Sequence, residues 1–202
     1  MPSRRTTGYA IVCALCLGAP ARSQRADSLP SRAPYWRHFA YGAATSLALH
    51  ELAHVVTAKA VGGRPWFGFD KGRPTIYSGI NSQIEPHKQF LFSASGLAIQ
   101  SLVDEMILDI PHARGSAFER GVLAGGIGTT LFYLTIGRRG SVSDIDFIAR
   151  THALTITQAT LLFGSVAALH SWRISRDSRY TNFFARRSPD GHIDLGVQLG
   201  SP

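Results

Sequence analysis

Four apolar stretches constrain this 202-residue chain more than any other feature. They cover residues 39–61, 90–110, 121–137 and 153–172, with polar and mostly basic segments between them. About 20 apolar residues in a helix cross the hydrocarbon of a bilayer. The first and fourth stretches meet that length. The third is shorter, and the second carries Asp104, Glu105 and Asp109 towards its end. The last two contain no charged residue, a pattern expected of lipid-spanning helices. The fold class predicted is an all-α membrane protein with about four transmembrane helices. A short β-hairpin follows the first core helix: Trp66, Phe67 and Phe69 precede a Lys71-Gly72 turn, and Thr75, Ile76 and Tyr77 follow it. In the third stretch Gly121, Ala124, Gly125 and Gly128 form a small-residue pattern that lets helix backbones approach closely.

The net charge of +8 first suggests nucleic acid or an anionic membrane surface. The basic residues, however, are spread between the apolar runs (Arg64, Lys71, Arg73, Arg138, Arg139, Arg150) and through the tail from Arg173 to Arg187. That distribution fits a lipid bilayer as partner and no nucleic acid. Residues 1–21 read as a signal peptide: Arg4 and Arg5 precede an apolar core over 9–17 and a small-x-small site at Ala19-Pro20-Ala21. Cys13 and Cys16 both lie inside it, so a cleaved chain has no thiolate to offer a metal. Residues 22–37 read as a linker, 38–172 as the membrane domain and 173–202 as a polar basic tail with a possible hairpin around Asp190-Gly191. The signal-like start fits integral placement in a bacterial inner membrane.

The chemistry is concentrated in His50-Glu51-Leu52-Ala53-His54. One helical turn separates the two histidines, so both imidazoles share a face and can bind one Zn²⁺. Glu51 lies beside the metal and can act as the general base towards bound water, whose pKa zinc lowers from about 15.7 to about 7. It would then pass the proton to the leaving amine. Ionisable groups are costly inside a membrane helix and usually functional there. Ala43, Ser46 and Thr57 continue the same stripe with small or polar residues suited to a protein-facing side.

A catalytic zinc site needs a third protein ligand and an open position. Asp144 and Asp146 follow the third stretch, and Glu105 lies at the end of the second. If successive helices alternate direction, His50, His54 and Asp144 fall at similar depth, whereas Glu105 falls on the other side. This favours Asp144 or Asp146, and Asp146 also suits a helix N-cap. Glu105 stays open if the second stretch dips into the bilayer without crossing. That possibility arises independently: four crossings from an external N-terminus would leave the arginine-rich tail outside, against the positive-inside rule.

With HExxH in the first core helix, a hairpin-like loop and a later acidic residue after a further helix, residues 38–150 resemble the site-2 protease family of intramembrane zinc proteases. The family's Gly-Pro-x-x-Asn-like element corresponds to Gly96-Leu97-Ala98-Ile99-Gln100, and its Leu-Asp-Gly to Ser143-Asp144-Ile145. The resemblance implies Zn²⁺ held by His50, His54 and Asp144, and Glu51 as the catalytic base. It further implies that Gln100 orients the substrate or the oxyanion, and that protein or peptide substrates lie in or near the membrane. The alternatives are a gluzincin-type membrane protease that uses Glu105 as ligand and a non-catalytic membrane scaffold that keeps the motif.

Overall fold

The computed structural model describes residues 33–70, 72–112, 115–139, 143–177, 179–187 and 193–199. The signal-peptide reading over residues 1–21 therefore lies outside the described residues. Helix α1 runs Ala33–Ala60, beginning inside the segment expected to be linker. It ends where Gly62 adopts a left-handed φ of 86°, and the following Gly63 amide closes onto the Ala58 carbonyl at 2.7 Å. Strands β1 (Trp66–Asp70) and β2 (Arg73–Tyr77) then form the expected hairpin. Trp66 pairs with Tyr77 and Asp70 with Arg73, and Gly72 before β2 adopts φ 82°.

Helix α2 covers Pro86–Asp109 and starts with proline in its first turn, where a missing N–H costs nothing. Helix α3 (Ala117–Leu134) opens with a capping box: the Ser116 hydroxyl accepts from the Glu119 amide while Glu119 accepts from the Ser116 amide. Thr155 and Gln158 do the same for the last helix, α5 (Ile156–Arg176). Between them lies a helix that the apolar pattern does not predict, α4 (Asp144–Arg150). Its seven residues carry acidic groups in the first turn and Arg150 in the last, an arrangement the helix dipole favours. The tail forms a second antiparallel hairpin, β3 (Thr181–Arg187) with β4 (Ile193–Leu199).

Helices α1 and α3 pack closest. A Cβ on Gly42 would stand 2.0 Å from the Phe118 carbonyl oxygen, and one on Gly121 would stand 2.0 Å from that of Phe39. Only glycine permits this reciprocal backbone contact. A core of Leu97, Ile145, Ile148, Ala159 and Phe163 joins α2, α4 and α5 beside it.

Helices α1 and α2 bury a number of polar residues and leave several large apolar ones exposed. The buried row of α1 is Gly42, Ser46, His50, His54 and Ala58, while Leu52 and Val56 on its other side are 54% and 57% exposed. Helix α2 buries Gln89, Ser93, Gln100 and Asp104 and exposes Leu91, Leu102 and Met106. Among the described helices α2 alone is long and apolar enough to cross a membrane. The expectation of about four spans is thus met by one helix. The others fall short because polar or charged residues interrupt their runs, as His50, Glu51 and His54 do in α1. The stretch expected to dip is the one that meets the requirement.

Candidate metal centre

The site begins with helical spacing. His50 and His54, four residues apart on the buried row of α1, bring their Nε2 atoms to 3.1 Å from one another. Helix α4 supplies the third group. The Asp144 Oδ2 lies 3.1 Å from His50 Nε2 and 3.4 Å from His54 Nε2. All three residues are buried.

The neighbours fix which nitrogens carry protons. His54 Nδ1 lies 2.7 Å from the Phe92 carbonyl, which can only accept, so Nδ1–H is the donor. His50 Nδ1 lies 3.0 Å from Gln100 Oε1. The Gln100 amide is oriented by its other end, whose NH₂ donates to the Ser46 carbonyl at 3.3 Å and hydroxyl at 3.1 Å. Its oxygen therefore faces His50, and Nδ1–H donates there too. With Nδ1–H committed on both rings, the two Nε2 atoms point at one another and at a carboxylate oxygen. Among the described residues, Asp144 Oδ2 has no hydrogen-bond donor.

Three such groups this close repel each other unless a proton or a metal ion lies between them. Ligand atoms about 2.0–2.1 Å from a tetrahedral zinc are about 3.3–3.4 Å from one another, close to the separations seen here. The donor set of two imidazoles and a carboxylate likewise suits a catalytic first-row metal, so the residues fit a metal ion. Each imidazole is held from behind, by Gln100 and by the Phe92 carbonyl, as metal-bound histidines usually are. Burial pushes the Asp144 carboxyl up, but the adjoining imidazoles, His54 foremost, outweigh it and hold the group well below the usual carboxylate range.

Space for a metal exists because α2 presents Gly96 to it. A Cβ there would stand 2.5 Å from His50 Cε1 and 2.6 Å from each Nε2. Glu51 lines an open cleft of about 540 Å³ with the three metal-binding groups, and the hairpin contributes Pro74, Thr75 and Ile76 to its wall. Tyr133 of α3 stacks against the His50 ring with centroids 5.8 Å apart.

Comparison with protein-family models, curated proteins and solved structures returns no match. The site must be judged on its own geometry.

On that basis three sequence expectations change. Glu105 is no ligand: its Oε2 lies 2.7 Å from His170 Nε2 and its other oxygen pairs with Arg173, in a separate cluster between α2 and α5. Asp146 pairs with Arg150 one turn along α4, and Ser143 is the residue at the N-cap. Gln100 is 1% exposed and bound to His50, Ser46 and Thr129, so it stands behind a ligand instead of reaching a substrate. His50, His54 and Asp144 come together as expected. The Phe92 carbonyl and Tyr133 were not foreseen, and neither carries a local sequence signal.

Proposed function

We propose that the chain is a membrane-embedded, zinc-dependent endopeptidase, with His50, His54 and Asp144 holding the metal and Glu51 as general base. One observation carries this reading. Two imidazole Nε2 atoms and an orphaned carboxylate oxygen converge at tetrahedral ligand spacing beside a cleft that contains a glutamate. A structural metal site is normally closed by four protein ligands, whereas three ligands and an open cleft suit catalysis.

Zinc, when bound, supplies a Lewis acid and a water acidic near neutral pH. The rest of the chemistry falls to the chain. Glu51 takes a proton from the attacking water and returns it to the departing amine. Gln100 and the Phe92 carbonyl hold both imidazoles in the tautomer that leaves Nε2 free.

The histidines, glutamine and aspartate buried in α1 and α2, with Leu47, Leu52, Leu91 and Leu102 exposed on the same helices, support a lipid environment. The length and composition of α2 support it as well. Substrates are accordingly proteins or peptides in or next to the bilayer. The test is a co-reconstitution in vesicles, in which a panel of single-span proteins is scored for cleavage by wild type and by Glu51→Gln. Zinc-dependent cleavage abolished in Glu51→Gln is expected. Equal cleavage by both forms, or none by wild type across the panel, would contradict the assignment.

A further inference from the structure

The glycines of α3 serve two different purposes. Gly121 and Gly125 are pressed against α1: a Cβ on the first meets the Phe39 carbonyl, and a Cβ on the second lies 2.8 Å from that of Ser46. Gly128 continues the series, yet a Cβ placed there meets nothing within 4 Å. Glycine inside a helix is less stable than alanine because it loses more backbone freedom on folding. Packing compensates for that at 121 and 125 but not at 128. Gly128 instead lines the cleft that contains His50, Glu51 and Asp144, one turn before Phe132.

The lining chemistry indicates what occupies that space. Apart from the metal-binding groups and Glu51, the cleft has no charged residue among those described; Leu47, Ile76, Phe92, Phe132 and Phe147 are among the apolar residues of its wall. A charged side chain entering it would be stripped of water without a partner. An apolar one would exchange water for hydrocarbon. The volume of about 540 Å³ lies within the range of ligand pockets and leaves room for a large group.

We propose that Gly128 is a specificity-determining position, kept bare so that a bulky apolar side chain next to the scissile bond can lie over it. This rests on the reading of the site as a catalytic metal centre. It goes further by naming the substrate class: peptide bonds flanked by a large aliphatic or aromatic residue.

The experiment uses the full chain loaded with zinc and a series of peptide hydroxamates, which bind the metal through the hydroxamate and differ in the adjoining side chain. In wild type, affinity should rise from alanyl to leucyl to naphthylalanyl, and an aspartyl analogue should bind worse than alanyl. Gly128→Leu should weaken the naphthylalanyl compound about tenfold or more while leaving alanyl affinity and zinc content unchanged, with Gly128→Ala in between. Equal effects of Gly128→Leu on every compound, or none on any, would overturn the proposal and leave the metal centre intact. Failure of every hydroxamate to bind the zinc-loaded wild type would overturn both. Zinc content and thermal unfolding of Gly128→Ala confirm that a change in affinity is not loss of the fold.

Discussion

Gly96 decides how near α2 comes to the two imidazoles, and the space it leaves is the space a metal needs. Gly96→Ala should therefore abolish zinc retention: the added methyl would lie 2.5 Å from His50 Cε1 and 2.6 Å from both Nε2 atoms, forcing the imidazoles out of place. Zinc per chain after gel filtration measures this, and a fully loaded variant would contradict it. Gln100 tests the support behind the ligands. Replacing it with methionine keeps the volume and removes the acceptor for His50 Nδ1–H. Zinc affinity should fall about 10–100-fold, as for other second-shell partners, with the fold retained. Competition with a chromogenic chelator reads that change.

At this scale the sequence was most legible where the chemistry is local. His50 and His54 share a face because of helical spacing alone. Asp144 could be chosen over Glu105 from depth, since helix lengths fix depth without any side-chain detail. Gln100 was misread because its partners, Ser46 and Thr129, lie on other helices, and no spacing along the chain reveals that an amide is turned inwards.

Among the elements, the contact of α1 with α3 matters most, since it sets the face on which both histidines lie. Gly121→Ala would drive a methyl into the Phe39 carbonyl, and overpacking of that kind costs about 1–3 kcal/mol. Denaturant titration in detergent should show the loss, and zinc content should fall with it as α1 shifts. The capping box of α3 offers a milder test: Ser116→Ala should cost about 1 kcal/mol and leave zinc content untouched. The small-residue pattern of the third stretch pointed to this packing at Gly121 and Gly125, whereas its other members, Ala124 and Gly128, face away from it. The short helix α4 had no such sign, because seven residues with two acids at the start look like a loop. It forms since Ile145 and Ile148 bury against Leu97 and Phe163, a tertiary contribution.

For the whole molecule, polar side chains buried between α1, α2 and α5 stand beside two apolar clusters. The Asp104, Glu105, His170 and Arg173 cluster ties α5 to α2 at the end away from the metal centre. It uses the acidic residue that sequence reasoning considered as a ligand. Glu105→Gln should leave zinc content unchanged and cost about 1 kcal/mol of stability, because Glu105 is part-exposed. The apolar pattern revealed the four long helices, missed α4 and the first turns of α1, and overstated how many meet the requirement for crossing a bilayer. A run such as 39–61 reads as apolar on average, while folding turns its polar residues into one buried row.

The central claim is that two imidazoles and one carboxylate hold a metal beside a free glutamate. Zinc-edge X-ray absorption on the zinc-loaded full chain tests it most directly. The account predicts one zinc per chain with two histidine nitrogens and oxygen ligands at about 2.0–2.1 Å, lost in Asp144→Ala and His54→Ala but kept in Glu51→Gln. A spectrum without imidazole scattering, or one unchanged when Asp144 or His54 is removed, would contradict it.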